Sequence, residues 1–461
     1  MKSESPNIKP RGARFPIDAL PEGLRTLCAG QPIPAMVALT VMGGVIGQSA
    51  RVRRETMGEL VSRQLFLLVQ SGGGHVGCLA ALLAPVRDYQ RRLLVDAHIG
   101  VDGEDLREQE ARIRAQRSQF LANDRFPDKS HLDYFNRQLR QINLRSRRLC
   151  YMEHPTPGTM MDLFTRSPDQ SLFLTWTNPQ SFIEHLSFWE SAQGRAEFDL
   201  ANHALRGEMY AQAAEDGGVI LERPSLAGIA VCSRDCLMGV IAADNPLFQG
   251  SAPVFILDGD NHTGKAAFPA IPMESLHWWH RVVDRVLASR FDQEARMYSI
   301  SAGAGEVLRA AEGREFLQLQ TKYGFPPHAG AELCVRLMLL LHLCQDDPGQ
   351  SIQEATALGA IKIATWLVTE NSRVLNELKY EAAAGKRRAD RALMLQKIRD
   401  KGPVSQRDLF RTYAVQNQTA LGPALKDLLQ SGDVAKDADG RLRVRENKEG
   451  AAKSFTVAAT N

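Results

Sequence analysis

No run of about 18 apolar residues occurs in the 461-residue sequence, so no transmembrane helix is expected. The opening residues, MKSESPNIKPRGARFP, have no apolar core, so no secretory signal is expected either. Cysteine is sparse. Cys28, Cys78, Cys150, Cys232, Cys236, Cys334 and Cys344 are scattered and sit mostly in apolar context, which fits reduced thiols in a cytoplasmic protein. Cys232 and Cys236 form the one close pair. No second Cys/His pair stands at zinc spacing, so they read as structural and no metal site is expected. Excess charge is also missing. Lys and Arg number 56 against 53 Asp and Glu, a net of +3, so a nucleic-acid surface must be local. No Ser/His/Asp or Cys/His set has spacing that marks a triad.

What is present is a globular composition, 44% hydrophobic and 24% charged. The length suits about three domains of roughly 150 residues each. The most informative stretch is LFLLVQSGGGHVGCLAALLAPV, residues 65–86. It reads as a buried strand, a glycine turn and a helix, the geometry of a phosphate-binding loop. Such a loop presents backbone N–H groups to an anion at a helix N-terminus. The nucleotide version adds a Lys for the outer phosphates and a Ser or Thr for magnesium. Neither is here. The candidate loop is Ser71, Gly72, Gly73, Gly74, His75, Val76 and Gly77. One reading keeps a nucleotide or anion on its backbone without hydrolysis. The other keeps the glycines for packing alone.

Around that stretch the chain alternates. Residues 1–14 read as a disordered basic arm. Helices are expected over 16–27 and 33–48, and a strand over 50–54. The helix after the glycine turn is expected from about residue 78. Residues 104–149 are polar and helical, with 11 Lys/Arg against 7 Asp/Glu, and read as an inserted hairpin. It is either a solvated hairpin or a contact arm for a neighbouring subunit or phosphate backbone. Its basic edge is Arg137, Arg140, Arg145, Arg147 and Arg148. Strands are expected over 149–153, 171–176, 226–232 and 254–258, and helices over 156–165, 179–189, 196–214 and 235–243. That repetition predicts a mainly parallel sheet. Residues 273–380 read as almost wholly helical, with a buried helix over 330–344 and a long amphipathic one over 352–380. Gly385 and the basic Lys386-Arg387-Arg388 mark a linker.

Residues 390–447 read as three helices and a hairpin turning at Asp439-Gly440, a winged helix. Over 386–447 there are 14 Lys/Arg against 8 Asp/Glu. The third helix would enter a major groove with Gln416, Asn417, Gln418 and Thr419 near its start. Lys426, Lys436, Arg441, Arg443 and Arg445 would meet phosphates. The alternative is a winged helix used for protein contacts. Elsewhere, Asp258, Asp260 and His262 follow a predicted strand, where a turn is the simpler account. Trp278, Trp279 and His280 read as packing, and His342 as a core histidine.

Residues 14–380 resemble a family of phage, prophage and plasmid proteins with a RecA-like P-loop core, often found with primase modules. The resemblance rests on an ordered set: FPIDALPEGLRTLCAG, IPAMVALTVMGGVIGQSARVRR, LFLLVQSGGGHVGCLAALLAPVRDYQ, LERPSLAGIAVCSRDCLMGVIA and ELCVRLMLLLHLC. It implies an ATPase of helicase or helicase-loader type where the motifs are intact. Here they are not. The Walker A Lys falls on Val76, or on His75 with a one-residue shift, and the Ser falls on Gly77. Thr177-Asn178-Pro179-Gln180 stands at the family's acidic turn. Gly250-Ser251-Ala252-Pro253-Val254 stands where the family carries a finger Arg.

The expected fold is α/β: a RecA-like P-loop core over 15–270 with the insertion at 104–149. A helical extension over 271–384, a winged helix over 385–447 and a disordered tail over 448–461 follow. The expected function is a catalytically silent scaffold that binds double-stranded DNA through the winged helix, in replication or maintenance of a mobile element. Self-association or an active ATPase partner is expected, with no membrane partner and no cofactor beyond a nucleotide held without hydrolysis. The alternatives are a divergent DNA-dependent ATPase or helicase, and a protein adaptor without DNA contact.

Overall fold

The computed structural model describes residues 13–54, 58–61, 66–70, 75–96, 106–123, 129–146, 149–212, 218–242, 254–257, 271–290, 295–411 and 418–445. They fall into two compact units, Met1–Asn376 and Glu377–Asn461.

In the first unit a 3-10 turn (Ile17–Ala19) and α1 (Glu22–Leu27) lead to α2 (Pro32–Ile46). Pro32 opens α2, where a missing N–H costs nothing, and Gly47 follows it at φ 55°. Every residue of α2 is buried. Its one side-chain hydroxyl, on Thr40, donates to the Met36 carbonyl at 2.8 Å. Strands β1 (Ala50–Arg54) and β2 (Gly58–Val61) pair antiparallel. Next come β3 (Phe66–Gln70) and α3 (His75–Asp96). The polar insertion is α4 (Leu106–Asn123) and α5 (Lys129–Ser146).

The alternation then runs β4 (Tyr151–Glu153), α6 (Met160–Arg166), β5 (Ser171–Trp176), α7 (Pro179–Glu190) and α8 (Arg195–Arg206). A hairpin of β6 (Tyr210–Gln212) and β7 (Val219–Leu221) precedes β8 (Ser225–Cys232), α9 (Arg234–Ala242) and β9 (Val254–Leu257).

Five strands form a wholly parallel sheet in the order β4-β5-β8-β3-β9. Leu67 lies level with Ile229 on one side and Phe255 on the other. Strands β5 and β8 are buried along their whole length, as interior parallel strands are when helices cover both faces. Side-chain alternation assigns the covers. Phe173 abuts Gly44 of α2, while Trp176, of opposite parity, meets Phe182 of α7 with ring centroids 5.2 Å apart.

The remaining helical part is α10 (Met273–Ala288), α11 (Ala302–Gly313), α12 (Glu315–Tyr323), α13 (Pro327–Leu343) and α14 (Glu354–Lys401). It is interrupted by β10 (Arg296–Ile300) and β11 (Ser351–Ile352). These join β1 and β2 in a second sheet, ordered β11-β10-β1-β2. The near-continuous helix expected over 273–380 is corrected by these strands. Helices α2, α3, α10 and α13 share one core with the parallel sheet. Edge strand β9 is covered: the Ile256 N–H donates to Asn371 Oδ1 of α14 at 2.8 Å.

Two further expectations are corrected. The helix expected over 196–214 stops at Gly207, which is left-handed at φ 65°, and the β6–β7 hairpin follows. No linker occurs at 385–388, because α14 runs through it. A single Gly costs a helix only about 1 kcal/mol, and its neighbours here are Ala, Lys and Arg.

The second unit holds the end of α14, then α15 (Gln406–Arg411), α16 (Gln418–Ser431) and an antiparallel pair, β12 (Val434–Lys436) and β13 (Leu442–Val444). Met394, Ile398, Leu409, Leu425, Leu428, Val434 and Leu442 make its core. Val404 and Leu442 exchange backbone hydrogen bonds of 3.1 and 2.8 Å, which ties the start of α15 to the hairpin. No described helix is long and apolar enough to cross a membrane.

Candidate functional site

In a parallel sheet ligands gather at the carboxyl ends of the strands, where neighbouring connections leave in opposite directions. Here β3 connects across β8 and β5 to the edge strand β4, while β8 connects the other way across β3 to β9. Right-handed crossovers put those two connections on opposite faces. The ends of β3 and β8 are therefore the switch point, and the glycine-rich residues 71–74 follow β3 in sequence.

Ser71 to Gly74 lie outside the described residues. His75, Val76 and Gly77 form the first turn of α3, three residues earlier than expected, and the side chains of His75 and Val76 lie outside the described set. Among the described residues, none lies within 4 Å of a Cβ built at Gly77.

Two clusters stand at the carboxyl ends of β4 and β5, which β8 separates from β3 in the sheet. Glu153 ends β4 and is ion-paired with Arg87 Nε of α3. The Tyr151 hydroxyl also donates to Glu153 Oε1 at 2.5 Å and lies 3.1 Å from Thr175 Oγ1. Burial opposes the charge on Glu153, but the hydrogen bonds from Arg87 and Tyr151 outweigh it and hold the carboxyl below its usual range. Burial and the bond to Glu153 push the Tyr151 phenol up. Glu153 is thus a compensated anion.

His154 follows at φ 47°, unusual for a non-glycine residue. Its N–H donates to the Thr175 carbonyl at 2.8 Å, which pins it to β5. Its ring spans two hydroxyls, Nδ1 2.9 Å from Ser181 Oγ and Nε2 2.8 Å from Thr177 Oγ1. Asn178 caps α7, its Oδ1 accepting the Gln180 N–H at 3.0 Å. Thr177 and Asn178 therefore put a hydroxyl and an amide at the carboxyl end of β5. No group of three or more His, Cys, Asp or Glu suited to a metal occurs among the described residues. Asp258, Asp260 and His262 lie outside them.

A cavity of about 270 Å³ lies elsewhere, lined by Ser289, Arg296, Tyr298 and Asp347 among others. Its Arg285 is committed to the end of α13, donating to the Leu343 and Gln345 carbonyls at 2.8 and 2.7 Å. His342 is buried with Nε2 2.7 Å from the Gly349 carbonyl, as a core histidine should be. Trp279 is likewise buried, its Nε1 donating to the Leu82 carbonyl at 2.9 Å. All seven cysteines are free, and only Cys236 is not fully buried.

In the second unit β13 separates its two faces. Leu442 is buried, while Arg441, Arg443 and Arg445 are exposed on alternate positions. None of these three guanidinium groups is ion-paired among the described residues. The turn is set by Asp437, whose Oδ1 accepts the Asp439 and Arg441 N–H groups at 3.0 and 2.8 Å. Gly440 supplies the left-handed position at φ 73°. Lys426 and Lys436 are also exposed. Asp433, beside this face, is compensated: Ser431 Oγ donates to it at 2.6 Å and Arg391 at 2.9 Å. The Ser431 bond chiefly, then Arg391, hold its carboxyl low. Gln418 and Thr419 begin α16 with side chains outside the described set, and Gln416 and Asn417 lie outside the described residues.

In the insertion no described side chain of α4 or α5 is buried. The two helices pack on each other, with Phe120 stacked on His131 at 5.4 Å. Arg137 is exposed, and its Nε donates to the Asp133 carbonyl at 3.3 Å. Arg140 and Arg145 lie in α5 with side chains outside the described set, and Arg147 and Arg148 lie outside the described residues.

Arg87, Glu153, His154 and Ser181 were not singled out by sequence pattern. They meet only because β4 pairs with β5 in the register Glu153↔Thr175. Compared with known proteins, the chain matches no family model and no curated protein.

Proposed function

We propose that the chain is a scaffold with a RecA-like P-loop core, silent toward nucleotide hydrolysis, that binds double-stranded DNA through a C-terminal winged helix. The observation that carries the reading is the row of exposed Arg441, Arg443 and Arg445 on the β12–β13 hairpin, none of them ion-paired among the described residues. Three guanidinium groups at alternate positions match a phosphate backbone better than a protein surface, where one or two would be compensated. For the core, the support is a glycine-rich segment that follows β3 in sequence at the switch point of a parallel sheet, with no Lys, Ser or Thr at positions 75–77. Glu153 is ion-paired with Arg87, and Thr177 and Asn178 stand where the resembled family has its acidic turn. A DNA transaction of a mobile element is the setting the sequence resemblance suggests. The scaffold would act in self-association or beside an active ATPase.

The test is DNA affinity of the full chain by fluorescence anisotropy across a salt series. Each phosphate contact contributes a slope of about −0.9 in log K against log salt. Replacing Arg441, Arg443 and Arg445 together by Gln should reduce the slope by about 3 units. Salt-independent or absent binding would favour the adaptor reading.

A further inference from the structure

We infer that Thr177 is a base-activated hydroxyl, with His154 as its base, poised for acyl transfer from small activated esters. The argument is proton accounting. The Ser181 hydroxyl donates to the Asn178 carbonyl at 2.9 Å, so toward His154 it can only accept. Nδ1 of His154 therefore carries the proton. In the neutral ring Nε2 is then a bare acceptor, and it faces Thr177 Oγ1 at 2.8 Å. The chain Thr177 to His154 to Ser181 is a nucleophile, a base and a group that orients the base.

The backbone supports this arrangement. His154 is held at φ 47° by its N–H bond to the Thr175 carbonyl, in the parallel register that joins β4 and β5. Strain of that kind persists only where the surroundings over-determine it. Asn178 adds an electrophilic group. With Oδ1 committed to the Gln180 N–H, its Nδ2 is left to donate to an oxyanion forming beside Thr177. Thr177 is half-buried, whereas His154 and Asn178 are exposed, so a small substrate reaches all three.

The step balances without a co-reactant. Thr177 Oγ1 attacks the ester carbonyl and the Oγ1–C bond forms. Its proton passes to His154 Nε2. The bond to the leaving oxygen breaks, and the leaving group takes the proton from Nε2. Water then attacks the acyl-threonine carbonyl while Nε2 accepts its proton, the acyl–Oγ1 bond breaks, and Nε2 returns the proton to Thr177 Oγ1. This chemistry is independent of the nucleotide reading of the glycine turn.

The experiment uses the full chain and p-nitrophenyl acetate, following the release burst and mapping the acetyl group by peptide mass. A burst of about one equivalent with acetyl on Thr177 is expected. Thr177→Val should abolish it, Thr177→Ser should keep it, and His154→Gln should slow it by about 100-fold. Ser181 acts only by positioning, so Ser181→Ala should slow the burst and Ser181→Thr restore it, with the acetyl still on Thr177. Variants are compared at matched melting temperatures, and the Ser and Thr variants keep the test decisive if a larger change unfolds the chain. Acetyl found on lysine, no burst, or a burst unchanged in Thr177→Val would overturn the inference.

Discussion

Arg290 Nε lies 3.3 Å from Asp169 Oδ2, and both side chains are almost fully buried. The same guanidinium donates to the carbonyls of Gly44 at 2.5 Å, Val45 at 3.2 Å and Ser171 at 2.8 Å. One side chain thus ties the end of α2 to the start of β5, at the opposite end of the sheet from the candidate site. Breaking a buried pair strands the remaining charge, so Arg290→Ala should cost about 3–5 kcal/mol in urea unfolding. Asp169→Ala should cost less than a full second increment in the double variant, because the two residues share one network.

Gly44 is a packing position. A Cβ there would stand 2.3 Å from the Phe173 ring. Gly44→Ala should therefore destabilise by about 1–3 kcal/mol. Phe173→Leu in the same chain should recover part of that loss, measured as the shift in denaturation midpoint. An additive loss would show that the contact is not the cause.

Glu197 gives a pH dependence with a defined sign. It is nearly buried, and its Oε1 accepts from Trp189 Nε1 at 3.1 Å and lies 3.1 Å from His185 Nε2. Its Oε2 accepts from the Met160 N–H at 3.2 Å. Burial alone would raise the carboxyl, but His185, the Met160 N–H and Trp189 together hold it below the usual range. A carboxyl lowered on folding adds stability above its unfolded pKa of about 4.3 and loses it as pH falls through the folded value. The melting temperature should drop over that acid window, and Glu197→Gln should flatten the drop. An equally steep curve in the variant would assign the acid sensitivity to other groups.

Much of the parallel sheet was legible because its strands are short apolar runs bounded by turn residues, as at 171–176 and 225–232. The second sheet was not. In residues 296–300 only Tyr298 is fully buried, the stretch sits between two helices, and its partners at 50–53 and 351–352 are remote in sequence. The N-cap at Ser301, whose Oγ accepts the Ala304 N–H at 3.3 Å, was the available signal that a helix restarts there. Gly207 and Gly385 show why glycine is an ambiguous marker. At Gly207 the left-handed turn ends a helix, whereas at Gly385 strong helix formers on both sides carry it through. At the candidate site the missing Lys and Ser could be read directly from residues 71–77. The Arg87–Glu153 pair and the His154 bridge could not, since 66 and 23 residues separate the partners in sequence.

The most direct test of the central claim is ATP turnover by the purified chain with and without magnesium and double-stranded DNA, at protein concentrations where DNA is bound. The account predicts no turnover above a Glu153→Gln control, whether or not nucleotide binds. DNA-stimulated turnover abolished by His75→Ala would contradict it, because the glycine turn would then belong to a working phosphoryl-transfer site.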